Sequence, residues 1–113
     1  WACRDIDGMP CITSEAADLV GGKVKVAEFC LPGSQELADV TSDAIGQDRA
    51  VLMGNHGAIC VDSDIDKALK DAIVLEESAK VAYYAFQMGD VNILEDQIAE
   101  FMRKDTEKNY GQQ

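Results

Sequence analysis

One histidine, His56, stands in Gly54-Asn55-His56-Gly57, between the apolar runs Ala50-Val51-Leu52-Met53 and Ala58-Ile59-Cys60-Val61. Neutral imidazole is the commonest protein ligand for zinc, and flanking glycines accept unusual backbone angles while leaving room for an ion and its substrate. The pattern predicts a strand-turn-strand unit that presents an imidazole at its tip, with Asn55 and Gly57 shaping the turn. A turn histidine facing water fits the same four residues, because a metal asks for three or four ligands and this motif supplies one. The four cysteines, Cys3, Cys11, Cys30 and Cys60, make no Cys-x-x-Cys pair. They are expected as reduced thiols that pack as small hydrophobes, with Cys30 the nearest to the site.

The elements around this turn follow from pattern. Asp7-Gly8-Met9-Pro10 has the composition of a turn, and Thr13 to Leu19 that of a short helix stopped by Gly21-Gly22. Lys23-Val24-Lys25-Val26 alternates like a strand with one covered face, running towards Phe29 and ending at Pro32-Gly33. Ser34 is suited to cap a helix carrying Leu37, Val40 and Ala44, with Glu36 at its positive start and Gly46 as its stop. Gly33 and Ser34 hold that helix start near the site, or serve only as turn and cap. A strand, a helix and a second strand at Ala50 then fit a strand-helix-strand unit. The runs around His56 lack polar alternation, as strands covered on both faces do.

Asp62 or Ser63 is expected to cap the longest helix, in which Ile65, Leu69, Ala72, Leu75, Ala79, Ala82 and Phe86 form one apolar stripe up to Gly89. Asp66, Lys67, Lys70, Asp71, Glu77 and Lys80 are expected on its solvated face, and Tyr83 and Tyr84 at a subunit contact. Asn92 with Glu95 resembles a capping pair for a last helix carrying Leu94, Ile98, Phe101 and Met102. Strands interleaved with helices make this an α/β chain.

At 113 residues, 47% of them apolar and 2 of them proline, the chain falls in the range of one domain or part of one, spanning 1–113. Ten basic residues against 21 acidic ones, a formal charge of −11, form no basic stripe. Nucleic-acid binding is therefore not expected, and the Gly-x-x-Gly turn lacks the basic surroundings of a KH loop. No apolar run approaches the roughly 18 to 20 residues that cross a bilayer, so no membrane partner is expected.

In this order and at these separations, Pro32-Gly33-Ser34-Gln35-Glu36-Leu37, the Asn55-His56-Gly57 turn, the long helix after Val61-Asp62 and the closing Asn109-Tyr110-Gly111-Gln112 resemble the class II aldolase/adducin family. Its members include fuculose-phosphate aldolase and ribulose-phosphate 4-epimerase. The resemblance implies a three-layer α/β/α fold with a central mixed sheet, of which this chain, opening on Trp1, would be the C-terminal half. It implies a divalent metal, usually zinc, with His56 as third ligand. A His-x-His pair and a catalytic carboxylate would lie upstream of Trp1, and Trp1-Ala2-Cys3 looks like the helix just after that pair.

The activity so implied is carbon-carbon cleavage of a small phosphorylated sugar in a homotetramer, with these 113 residues inactive by themselves, and the reduced cysteines point to a cytoplasmic protein. A Lewis acid worth ~3 kcal/mol to the developing oxyanion already gives over a hundredfold in rate. Two positions depart from fuculose-phosphate aldolase, whose tyrosines fall on Ser14 and Phe29. Phe29 can line a site but cannot move a proton. Epimerisation, a noncatalytic adducin-like module, or an unrelated acidic α/β domain are the alternatives.

Overall fold

The computed structural model describes residues 1–109, so Tyr110-Gly111-Gln112 of the closing segment lies outside the described residues. Its elements are β1 (Gly8–Met9), α1 (Ser14–Val20), β2 (Val24–Ala27), α2 (Gln35–Ile45), β3 (Ala50–Met53), β4 (Gly57–Cys60), α3 (Ile65–Met88) and α4 (Asp96–Asn109). The strands form one mixed sheet in the order β1-β2-β3-β4, parallel between β2 and β3 and antiparallel at both outer pairs.

Side-chain alternation sorts the sheet into two faces. Val24, Val26, Ala50, Leu52 and Cys60 point to one side, where they pack with Leu19 and Val20 of α1 and Val74, Leu75 and Ala79 of α3. The other side of β2 and β3 is covered by α2. This is the expected α/β/α layering, with α4 added against α1 through Ala16, Ala17, Ala99 and Met102. Full burial of a Leu or Val side chain here contributes about 1.5–3 kcal/mol, so the central strands anchor the domain.

The caps follow the sequence at α1 and α2 and depart from it at α3 and α4. The Thr13 hydroxyl accepts from the Ala16 amide at 3.1 Å, and Gly21 takes the left-handed angle that ends α1. The Ser34 hydroxyl accepts from the Leu37 amide at 3.1 Å, and α2 stops at Gly46. The cap of α3 is Asp64, whose carboxylate accepts from the Lys67 amide at 2.8 Å, rather than Asp62 or Ser63. The last helix begins at Asp96, with the Glu95 carbonyl accepting from Ala99, so Asn92 lies too far upstream to cap it.

Four further expectations change. Asp7-Gly8-Met9-Pro10 is no turn: Gly8 and Met9 pair with Lys25 and Val24, and a Cβ on Gly8 would stand 2.9 Å from the Val24 carbonyl oxygen. Trp1 to Arg4 makes a single turn, closed by the Arg4 amide on the Trp1 carbonyl, instead of a helix. β4 is not covered on both faces, because it is the edge strand and α2 sits over β2 and β3; Ala58 and Ile59 are exposed.

The stripe on α3 is displaced as well. Its buried line is Asp71, Leu75, Ser78 and Ala82, while Ile65 and Leu69 are 81% and 60% exposed. A 24-residue helix is roughly 36 Å long, whereas a four-residue strand spans about 13 Å, so both ends of α3 overhang the sheet.

Candidate functional site

β3 and β4 form a hairpin in which Met53 pairs with Gly57, leaving Gly54-Asn55-His56 as its connection. The His56 amide donates to the Met53 carbonyl at 3.0 Å, closing a β-turn. Asn55, third in that turn, has φ 55°, the positive angle that type II turns require there and that Asn tolerates better than most side chains. Neither Gly54 nor Gly57 has a positive φ. The tip therefore presents His56 and Asn55 as exposed side chains on a hydrogen-bonded turn.

Gly54 has a different duty. It is buried, its amide donates to the Ala27 carbonyl at 2.8 Å, and a Cβ there would stand 3.0 Å from that oxygen and 3.2 Å from the Phe29 nitrogen. The missing side chain lets the turn close directly onto the end of β2. From the other side, the Asn55 amide donates to the Ala2 carbonyl at 2.8 Å. The approach of the chain at Trp1-Ala2 is thereby fixed next to His56. Trp1 is itself held by its indole N–H on the Ala79 carbonyl of α3 at 2.9 Å and by an edge-on contact with Phe86. Ala2 is not singled out by residue type for its contact, which it makes through backbone, and the space that Gly54 leaves matters only because the fold brings the end of β2 against it.

Because β2 and β3 are parallel, their carboxyl ends share one edge of the sheet, the usual place for a ligand in open α/β sheets. Glu28, Phe29, Gly33 and Ser34 follow β2 at that edge, and Asn55, His56 and Gly57 follow β3. Phe29 is 49% exposed, so its ring is free to line a site. Gly33 needs its left-handed φ of 83°, and the Ser34 amide donates to the Leu31 carbonyl at 3.1 Å, turning the chain into α2. A Cβ on Gly57 would meet nothing within 4 Å. Cys30 is no thiolate nucleophile at neutral pH: desolvation first, then the Glu36 and Glu28 charges, push its thiol up.

As for a metal, His56 offers an unobstructed imidazole at the exposed tip. Among the described residues no group of three His, Cys, Asp or Glu side chains could hold an ion. The residues fit one position of a metal site and not the whole of it. Between α2 and the uncovered side of β4 runs an open groove of about 620 Å³, with Met53, Ile59 and Val61 as its floor and Leu37, Thr41 and Ile45 along its wall. His56 is not among its lining residues.

The structure resembles that of an L-fuculose 1-phosphate aldolase, with a TM-score of 0.82 and 28% identity over 88% of this chain and 46% of that one. In sequence the chain is 32% identical over 93 residues to a 5-deoxy-D-ribulose 1-phosphate aldolase of Bacillus thuringiensis serovar kurstaki, covering 82% of this chain and 43% of the relative. It is also 32% identical over 75 residues to a 3-oxo-tetronate 4-phosphate decarboxylase of Haemophilus influenzae, covering 66% and 35% respectively. The chain thus spans less than half the length of each of these proteins. Residues 1–83 match the family described as class II aldolase and adducin N-terminal domain. The chain, with its Asn55-His56-Gly57 turn at the carboxyl edge of a mixed sheet, belongs to the class II aldolase and adducin family.

Proposed function

We propose that this chain contributes His56, as one imidazole ligand, to the divalent-metal site of a carbon-carbon lyase acting on a small phosphorylated sugar. The observation that carries this reading is the hairpin tip, where a hydrogen-bonded turn anchored on both Ala27 and Ala2 holds an exposed imidazole at the carboxyl edge of the sheet. The remaining ligands, a His-x-His pair and a carboxylate, come from sequence outside these 113 residues. The Asn55–Ala2 hydrogen bond holds the Trp1-Ala2 segment alongside the histidine. The share of the related enzymes that the chain spans supports ligands from outside it.

The reaction class rests on what the relatives' names have in common. An aldolase and a 3-oxo acid decarboxylase both break a carbon-carbon bond near a carbonyl, so both leave electron density on its oxygen. A bound divalent cation, zinc in our reading, would take up that charge as a Lewis acid. Asn55 and Gly57 fix the direction of the His56 ring, Gly33 and Ser34 set the start of α2 at the same edge, and Phe29 lines it without donating a proton. The complete protein is a cytoplasmic homo-oligomer, a tetramer in our reading; four unpaired cysteines and the exposed Tyr83 and Tyr84 support this.

The test is metal content of the full-length protein by plasma mass spectrometry, with aldol cleavage of sugar phosphates assayed in parallel. His56→Ala is expected to bring bound metal to background and cleavage down by a hundredfold or more. Unchanged metal in that variant would remove His56 from the site. The 113 residues alone are expected to retain metal weakly and to cleave nothing; robust cleavage would show that no outside ligand is needed. A metal-free full-length protein would leave the noncatalytic module as the better reading, and epimerised rather than cleaved product the epimerase.

A further inference from the structure

The base of the same hairpin, away from His56, holds a carboxyl that nothing above uses. Asp71 lies on the buried line of α3, 9% exposed, and its Oδ2 is sealed from solvent with no hydrogen-bond donor among the described residues. An ionised Asp71 would leave that oxygen without a hydrogen bond, at a cost of about 1–3 kcal/mol or more in general. Its neighbour within hydrogen-bond reach is a second carboxyl, that of Asp62, just past the end of β4. Two carboxylates cannot both accept, so this contact holds only while one of them carries the proton.

The surroundings decide which one. Arg49, just before β3, places Nη1 3.9 Å from Asp62 Oδ2, and the Ser63 amide donates to Asp62 Oδ1 at 2.7 Å; both favour an ionised Asp62. Arg49 is committed elsewhere too, donating from Nε to the Leu19 carbonyl at 3.2 Å and from Nη2 to the Asp18 carbonyl. Around Asp71 itself the Arg49 charge, and after it that of Lys70 on its own helix, favour ionisation without outweighing burial and Asp62, and the Cys60 thiol on β4 is also near. On α1 the Asp18 carboxylate is taken by the Thr106 hydroxyl at 2.9 Å.

We propose that Asp71 is held as a carboxylic acid sharing its proton with the Asp62 carboxylate, a latch that fastens α3 to the base of the β3–β4 hairpin at mildly acid pH and loosens as pH rises. Burial first, then the hydrogen bond to Asp62, raises Asp71 to about 6, while the same hydrogen bond leads the causes that hold Asp62 below its usual range. The sign follows from linkage. Between pH 3.8 and about 6 the folded state keeps a proton at Asp71 that the unfolded chain releases, so stability is lost as pH climbs through that window. Asp62 acts oppositely, its contribution fading as pH falls through its own lowered value. The latch is closed when Asp62 is ionised and Asp71 is not, and at neutral pH α3 is held less tightly to the strand that runs from His56.

Urea unfolding of this chain at pH 5 and pH 7.5, in the native sequence and in Asp71→Asn, tests the proposal. An amide can donate to Asp62 at either pH, so the variant keeps the contact and loses the titration. A rise from 3.8 to about 6 predicts a folding constant about tenfold smaller at pH 7.5 than at pH 5, beyond whatever change Asp71→Asn shows. The variant subtracts the general benefit of acid to a chain of charge −11. Parallel pH profiles would overturn the latch. Independently, the carboxyl carbon of Asp71 in the folded protein is expected to titrate by NMR near 6, and a midpoint near 4 would overturn the proposal whatever the variant does.

Discussion

Gly54 and Gly57 bracket the same histidine and carry unequal burdens. A methyl group on Gly54 would collide with the backbone of Ala27 and Phe29, and backbone cannot swing aside as a side chain can. Gly54→Ala is therefore expected to cost about 1–3 kcal/mol in urea unfolding, as overpacking generally does. Gly57→Ala meets open space at an ordinary φ and is expected within about 0.5 kcal/mol of the native protein. Equal losses in the two variants would refute the close approach of the turn to β2. The tetrapeptide displayed a histidine at a turn in plain view. Which residue took the left-handed angle, and which glycine was needed for space, depended on where β2 ended.

Capping chemistry was legible at α1 and α2, where it acts within three residues along the chain, and was misplaced at α3 and α4. Ser34 and Thr13 each satisfy one amide at a helix start, and Ser34→Ala or Thr13→Ala is expected to lose about 1 kcal/mol of stability. Thermal unfolding of the two single variants checks this; an unchanged midpoint in Ser34→Ala would mean that Pro32-Gly33 alone sets the start of α2. The faces of α3 were read less well. Spacing correctly placed Leu75 and Ala82 on the buried line but assigned Asp71 to solvent, since a charged residue at a helical interval is usually exposed. Its burial follows from the partner that β4 delivers, Asp62, which is nine positions away in sequence and belongs to no helical repeat.

At the scale of the molecule, the outward side of α3 is more apolar than a solvated helix should be. Leu69 and Ile73 are 60% and 55% exposed, Tyr84 is 66% and Met88 89%. Exposed apolar side chains favour association, and the exposed Glu76, Glu77 and Lys80 among them and the charge of −11 oppose it. Light scattering is expected to show concentration-dependent association of this chain that Leu69→Lys with Ile73→Lys reduces; a native chain that stays monomeric at high concentration would contradict it. The sequence by itself determined the α/β class, the Ser34 cap of α2 with its stop at Gly46, the β2–α2–β3 unit and the histidine at a turn. Each of these depends on local spacing, capping or a period of two or 3.6 residues. Only the tertiary structure decided that β4 is an exposed edge, that Gly8 and Met9 form a strand, that Gly54 and Ala2 seat the His56 turn, and that Asp71 is buried against Asp62. Those outcomes turn on which backbone and side-chain groups meet across long stretches of chain, and the energy of such a meeting is written in no single segment.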